Sequence, residues 1–131
     1  MFFTKECDYA IRVVRELADL EMRPVKAICD REHIPPPFAY KILKKLDKAG
    51  IVVSRRGATG GYQLAKSPER ISLFDIVSAI DKHLLLNACL EEGHVCTRNE
   101  DGSSCSVKKE LNKLQQVVVD ALVGKNMSDV V

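Results

Sequence analysis

The sequence contains no tryptophan, and aromatic residues make up 5% of its 131 residues. The hydrophobic core must therefore be built mainly from aliphatic side chains. No apolar run is long enough to span a bilayer, which argues against a transmembrane helix. The first residues include Lys5, Glu6 and Asp8 and are too polar for a signal peptide. These absences predict a cytoplasmic protein without a membrane partner, and the length predicts one small domain with at most an appended element.

Patterns typical of common catalytic sites are also missing. The sequence shows no Ser/His/Asp arrangement, no phosphate-binding loop and no pair of carboxylates suited to acid–base chemistry. The glycine-rich turn at residues 57–61 is too short and wrongly placed for a nucleotide loop. The chain is therefore not expected to be an enzyme.

Positive charge is concentrated in one quarter of the chain. Residues 35–66 contain seven Lys or Arg and one Asp, a net charge of +6, whereas the whole chain carries +2. Contacts with phosphates require such a local patch. A solvated lysine face on an ordinary helix is the alternative interpretation, but the order of elements in this stretch favours DNA binding.

This basic stretch has the pattern of a helix followed by a β-hairpin. The apolar positions recur at helical spacing and are Phe38, Ile42, Leu43, Leu46 and Ala49. Gly50 is placed to end the helix, and residues 51–54 and 62–65 read as two short strands around the basic turn at 55–61. The pattern is typical of a winged helix-turn-helix, whose helix enters the major groove while the wing touches the DNA backbone or minor groove.

The remaining segments predict a mainly α fold with a small β-hairpin wing. Helices are predicted at about 4–20, 25–31, 72–81 and 106–123, with Thr4 and Ser72 as N-caps, and periodicity fails from residue 83 to residue 105. We divide the chain into a winged helix-turn-helix domain (1–80), a cysteine-bearing loop (81–105) and a dimerisation helix with a tail (106–131). The apolar stripe of the last helix predicts either packing on its own domain or a crossing with a second subunit.

Three of the five cysteines lie in the aperiodic segment, at positions 89, 96 and 105. Their spacing contains no C-x-x-C pair, which disfavours a zinc finger, and it differs from the bacterial ferredoxin run. Three thiolates on one loop can still converge on a metal centre. Cys7 and Cys29 fall on apolar helical faces and are predicted to be core residues.

Several short motifs follow one another in a recognisable order. They are Asp8-Tyr9-Ala10-Ile11-Arg12, Ile34-Pro35, Ile42-Leu43-Lys44-Lys45-Leu46, Ala49-Gly50, Arg55-Arg56-Gly57, Gly60-Gly61-Tyr62-Gln63-Leu64 and Ile71-Ser72-Leu73-Phe74-Asp75-Ile76. With the three cysteines before a long helix, the chain resembles the Rrf-two family of bacterial transcription regulators, of the IscR and NsrR type. The resemblance implies a homodimeric winged-helix protein that binds double-stranded DNA, with a palindromic operator and, in many members, an iron–sulfur cluster.

The resemblance also implies a ligand set for such a cluster. Cys89, Cys96 and Cys105 would be ligands, with Asp8 of the other subunit as fourth ligand and His33 as the alternative. The weaker candidates are Glu6, His83 and His94. Asp8 and His33 each also have an alternative interpretation without a cluster: Asp8 can be an acid that stabilises a helix N-terminus, and His33 can be a solvated turn residue. Three cysteines with Asp8 would give a four-iron cluster. Two cysteines with a carboxylate and an imidazole would give a two-iron cluster. The gaps between the cysteines are longer and less even than in the best-known members of the family.

DNA contacts are expected from the start of the basic helix and from the wing. The candidate residues are Pro37, Ala39, Tyr40, Lys41, Lys44, Lys45, Arg55, Arg56, Gly57, Thr59, Gly60 and Gly61. The predicted function is a regulator, in the first instance a repressor, whose operator binding is controlled by an iron–sulfur cluster that senses iron, redox state or nitric oxide. The alternative is a cluster-free regulator controlled by thiol oxidation or by a partner protein.

Replacing Arg56 is expected to weaken DNA binding and to reduce its dependence on salt. One phosphate contact contributes about 0.9 to the slope of log affinity against log salt concentration. Titrating DNA with the Arg56→Gln variant at several salt concentrations measures that slope. An unchanged slope would show that Arg56 makes no phosphate contact.

Overall fold

The computed structural model describes residues 3–99 and 104–131. In this part of the chain the elements are α1 (Lys5–Glu16), α2 (Val25–Glu32), α3 (Pro36–Lys48), β1 (Val52–Arg55), β2 (Gly61–Leu64), α4 (Leu73–Ile80) and α5 (Ser106–Val123). Single 3-10 turns occupy residues 68–70, 88–90 and 127–129. The mainly helical fold with a hairpin wing is confirmed. None of the described helices combines the length and the apolar character needed to cross a bilayer.

The core lies where α1 packs against α2, α3 and α4. It is almost entirely aliphatic, as expected from the scarcity of aromatic residues, and Leu17, Ile28 and Leu46 are among its largest fully buried side chains. Cys7 and Cys29 are 0% and 6% exposed, which confirms their prediction as core residues. Burial raises the pKa of the Cys29 thiol, which keeps it neutral and suited to packing.

Two helices begin at caps that the sequence specifies. The Thr4 hydroxyl accepts a hydrogen bond from the Cys7 backbone N–H at the start of α1. At α4, Ser72 and Asp75 form a capping box in which each side chain accepts from the other residue's backbone N–H, at 3.0 and 2.9 Å. These contacts fix where α1 and α4 start, in agreement with the sequence pattern.

Helix α1 ends four residues earlier than predicted. Its last residue is Glu16, and residues 17–20 form turns closed by hydrogen bonds from Ala18 N–H to the Arg15 carbonyl and from Leu20 N–H to the Leu17 carbonyl. Leu20 has a left-handed backbone, with φ of 67°. The apolar spacing continues through this segment, so periodicity alone did not reveal the reversal of the chain.

The wing is an antiparallel hairpin in which Val52 pairs with Leu64 and Arg55 pairs with Gly61. Each strand is shifted by one residue from its predicted range, so that Arg55 and Gly61 lie in the ladder and the tip is residues 56–60. Ile51 is buried and its carbonyl accepts from the Ala65 N–H at 2.9 Å, which continues the pairing beyond the strand ends.

The segment after α1 pairs with β2 along the edge that does not face β1. The backbones of Arg23 and Tyr62 exchange two hydrogen bonds, at 2.9 and 2.8 Å. Gly61 has φ of +142°, and a Cβ there would overlap the Arg23 carbonyl. Glycine is therefore required at position 61 for the wing to lie against the helical unit.

The C-terminal tail returns to the winged unit. Met127 is fully buried, its N–H donates to the Ile71 carbonyl at 2.8 Å, and the Leu73 N–H donates to the Lys125 carbonyl at 2.8 Å. An isolated bridge also joins Ser72 to Asn126. The end of α5 is thus anchored beside the start of α4.

Replacing Gly61 by alanine is expected to destabilise the fold more than the same change at Gly57. Both glycines have positive φ, but a Cβ at Gly57 would meet no atom within 4 Å whereas one at Gly61 meets backbone. The loss of unfolding free energy should be larger for Gly61→Ala by at least about 1 kcal/mol. Urea unfolding of both variants measures it. Equal losses would mean that the backbone at Arg23 can move away from the added Cβ with little loss of unfolding free energy.

Candidate nucleic-acid interface and cysteine loop

Helix α3 presents its first turn to solvent. It begins after Pro35 with two prolines, which are tolerated there because the first N–H groups of a helix have no partner within it. Pro37, Tyr40, Lys41 and Lys44 are exposed, as a DNA-reading surface requires.

Ala39 is not available for the DNA contact expected of it, because its side chain is fully buried. The buried face of α3 consists of Ala39, Ile42, Leu43 and Leu46. Phe38 and Ala49, which the spacing assigned to that face, are exposed instead. The Phe38 ring lies edge-on to Tyr9 of α1, with 5.8 Å between ring centroids. The buried face thus keeps Ile42, Leu43 and Leu46 as predicted but has Ala39 in place of Phe38, which the prediction put there because of its hydrophobic side chain.

Two of the α3 lysines are paired with one carboxylate of α1. The Glu6 carboxylate accepts from Lys41 Nζ at 2.7 Å and from Lys45 Nζ at 3.2 Å. The Lys41 hydrogen bond is the main cause that lowers the pKa of Glu6, with Lys45 adding to it against the effect of partial burial. Glu6 therefore stays ionised to a lower pH than an unpaired glutamate would. It was a weak candidate for a cluster ligand, and the structure gives it this other role.

The wing carries exposed positive charge at its tip and at the adjoining end of β1. Arg55, Arg56, Gly57 and Thr59 are exposed, and no ion pair holds either arginine to another described residue. Gly60 has a backbone role, since a Cβ there would overlap the Arg55 carbonyl. The arginines are thus available to phosphates, while Gly60 and Gly61 shape the hairpin that presents them.

Asp8 lies on the solvent side of α1 and is paired within that helix. Its carboxylate accepts from Arg12 Nε at 3.1 Å and from Lys5 Nζ at 3.3 Å. Partial burial opposes its ionisation, but the hydrogen bonds from Arg12 and Lys5 outweigh that effect and lower the pKa of Asp8. Lys5 Nζ and Arg12 Cζ also lie over the Tyr9 ring, 5.0 and 5.9 Å from its centroid. An ionised carboxylate at this position can act as a hard ligand or as the helix-terminus acid.

His33 caps the C-terminus of α2 with a left-handed backbone. Its φ and ψ are 53° and 48°, and its N–H donates to the Cys29 carbonyl. The imidazole is exposed. Beside it, Glu32 is buried and paired with Arg15, while its carbonyl accepts from Arg12 at 3.4 Å. The role of His33 in the turn is thus played by its backbone, and the imidazole takes no part in it.

The three loop cysteines surround one cavity. Cys89, Cys96 and Cys105 line a space of about 930 Å³ together with His94 and the first turns of α5. The Cys89 sulfur accepts from the Asn87 side chain at 3.4 Å, and the Cys105 sulfur caps α5 by accepting from the Lys108 N–H at 3.5 Å. Asp8, Glu6, His33 and His83 do not line this cavity. His83 lies instead at a second cavity beside Lys45 and Asp81.

Thiols and an imidazole are the donors that iron–sulfur clusters accept, so the chemistry of the cavity fits such a group. The geometry is not yet that of a closed site. Within residues 3–99 and 104–131, no three His, Cys, Asp or Glu side chains come close enough together to hold a metal ion. Residues 100–103 of the predicted loop lie outside the described residues. Binding of a cluster would therefore require the three cysteine sulfur atoms to move closer to one another.

Sequence reasoning missed some contacts that position the loop and α3. Gln115 of α5 accepts from the Leu86 N–H at 3.0 Å and holds the start of the cysteine loop to the helix. Lys45 donates to the Ile80 carbonyl at 3.3 Å as well as to Glu6. These contacts join residues about 30 to 40 positions apart, and no local pattern predicts them.

The arrangement of three helices, a hairpin wing and an exposed basic α3 defines the class of winged helix-turn-helix proteins. The chain matches the family described as "Rrf2: Iron-dependent Transcriptional regulator" over residues 3–131. The chain therefore belongs to the Rrf2 (Rrf-two) family of transcriptional regulators, as its sequence motifs predicted, and the family consists of regulators rather than enzymes.

Individual relatives agree with this assignment. A Synechocystis sp. protein named as an HTH-type transcriptional regulator is 36% identical, over 98% of this chain and 86% of its own length. The NsrR regulator of Bacillus licheniformis is 29% identical over 100% of this chain and 92% of its length. Among solved structures, T. potens IscR is 25% identical with a TM-score of 0.73, covering 97% and 83% of the two chains. CymR, the global cysteine regulator of B. subtilis, shares the fold at 22% identity and a TM-score of 0.74, covering 97% and 93%.

Proposed function

We propose that this transcriptional regulator is a cytoplasmic homodimeric repressor whose binding to a palindromic operator is controlled by an iron–sulfur cluster in the loop 81–105. The observation that carries the proposal is the placement of Cys89, Cys96 and Cys105 around one cavity at the start of α5. The family description as iron-dependent supports the choice of metal. The signal would be iron supply, redox state or nitric oxide, since each changes the state of such a cluster.

In this proposal the chain's own residues supply the ligands and the connection to the DNA-binding unit. The three cysteine thiolates would hold the cluster, and Asp8 of the partner subunit would complete the set after exchanging its pairing with Lys5 and Arg12. When bound, an iron–sulfur cluster supplies a centre whose loss or oxidation changes the loop that holds it. Because the loop lies between the winged unit and α5, that change would alter the spacing of the two α3 helices.

DNA reading is assigned to α3 and the wing. Tyr40 and Lys44 are exposed on the first turns of α3, where a recognition helix meets base edges and phosphates. Arg55 and Arg56 extend from the hairpin toward the backbone or minor groove. Because phosphate contacts fix orientation while base contacts select sequence, Tyr40 and Lys44 are the residues expected to affect operator choice.

The proposed dimer uses the outer face of α5. Val118, Val119 and Leu122 pack on the core of the same chain, which is one of the two interpretations of the apolar stripe. On the outer face, Val107, Leu114 and Val117 are 64%, 56% and 65% exposed. Large exposed apolar side chains along one long helix are suited to contact with a second copy of the same helix.

A charge at Leu114 is expected to break the dimer. Leu114→Lys places an ammonium group in the proposed interface without disturbing the core, and Gln116→Lys adds the same charge at an exposed polar position as a control. Sedimentation should give a monomer for Leu114→Lys and a dimer for the wild type and the control. A monomeric wild type, or a dimeric Leu114→Lys, would contradict the α5 interface.

The cluster is tested by purifying the protein without oxygen and measuring its visible spectrum, iron and acid-labile sulfide. The wild type should be coloured and contain iron matched by sulfide. Asp8→Ala should change or destabilise the spectrum, whereas His33→Asn, which keeps a residue tolerant of the left-handed turn, should leave it unaltered. The reverse result would make His33 the fourth ligand. An iron-free wild type that binds DNA would overturn the cluster.

A specific observation favours the cluster-free alternative. In the described residues the cysteines share a cavity but no three ligands are assembled, which also suits thiols that react with an oxidant or with each other. In that case the iron-free protein would lose DNA binding on treatment with peroxide and regain it with dithiothreitol. Serine variants of Cys89, Cys96 and Cys105 would identify the reacting thiols.

A further inference from the structure

Glu6 binds the recognition helix at the same lysines that the basic patch was expected to offer to DNA. Glu6 lies in the first turn of α1 and contacts both lysines. Its side chain is 24% exposed, whereas those of Lys41 and Lys45 are 56% and 35% exposed. Lys44, one position from Lys45, is exposed and has no ion-pair partner among the described residues. The three lysines of α3 nearest the DNA-reading turn are therefore not equivalent.

Lys45 and Lys41 differ in how firmly they are held. Lys45 also donates to the Ile80 carbonyl at 3.3 Å, so it ties α1, α3 and the end of α4 together. The structure shows Lys41 with Glu6 as its partner, and it is the more exposed of the two lysines. Lys45 is thus a packing contact, whereas Lys41 is a surface cation whose charge Glu6 offsets.

We propose that Glu6 is a specificity-determining residue that holds Lys41 away from DNA phosphates and so reduces sequence-independent DNA binding. The inference rests on the proposed DNA-binding function of α3. A carboxylate and a phosphate compete for the same ammonium group, because both are anionic oxygen acceptors. With Lys41 paired, the affinity that remains depends more on Tyr40, Lys44 and the wing. Specific binding is then favoured relative to non-specific binding, because the phosphate contribution is common to all sequences.

The test measures the affinity of the full-length protein for a mixed-sequence DNA duplex as a function of salt. Glu6→Gln keeps the size of the side chain and removes its charge, and Glu69→Gln removes a charge from an exposed residue that has no lysine partner within residues 3–99 and 104–131. The slope of log affinity against log salt should steepen by about 0.9 per subunit for Glu6→Gln. Between about 50 and 200 mM salt its affinity should fall roughly threefold more per subunit than that of the wild type. The control should keep the wild-type slope.

Lys41→Gln in both backgrounds provides an independent measurement. It should change the slope little when Glu6 is present and by about 0.9 per subunit in the Glu6→Gln background, because the lysine reaches phosphate only when released. Thermal melting reports whether each variant is folded. If Glu6→Gln does not fold, a full change of about 0.9 for Lys41→Gln alone overturns the proposal, and a small change supports it.

An unchanged slope or weaker DNA binding in folded Glu6→Gln would also overturn the inference and make Glu6 a residue that positions Lys41 for DNA. Failure of the proposed function gives a different result. In that case the wild type and all variants would bind the duplex without dependence on salt, or would not bind it.

Discussion

The apolar stripe of α1 is fully buried against the other helices, and this packing decides which α1 side chains face α3 and which face solvent. Ala10, Val13, Val14 and Leu17 have no exposed area. With no tryptophan in the chain, close packing of such small aliphatic side chains must supply most of the stability. The same helix places Glu6 against α3 and turns Asp8 to solvent, so the positions of both carboxylates are consequences of core packing.

The wing depends on a backbone contact with the segment that leaves α1. Arg23 and Tyr62 exchange hydrogen bonds, and Gly61 allows the two backbones to approach. A single hairpin is marginally stable in water, so this additional backbone pairing helps to hold Arg55 and Arg56 in one place. The exposed positive charge of the wing is therefore carried by a hairpin that is anchored to the helical unit. This is a condition for phosphate contacts that fix the register of the protein on DNA.

Formal charge overstates the positive surface that α3 offers. The stretch 35–66 has a net charge of +6, but two of its lysines share the Glu6 carboxylate of α1. The partner comes from outside the stretch, and a count along the sequence does not include it. The cysteine loop presents a similar difference between composition and geometry. Its three sulfur atoms line one cavity, yet the ligand set within the described residues is incomplete.

The sequence by itself determined the elements, because local signals define them. The caps at Thr4 and Ser72, the left-handed glycine at position 50 and the range Ser106–Val123 all follow from short patterns. The family followed from motifs such as Gly60-Gly61-Tyr62. Tertiary structure decided the burial of Ala39, the exposure of Phe38 and the pairing of Glu6 with Lys41. These features depend on which groups meet across the fold, and contacts between distant residues leave no periodic signal in the chain.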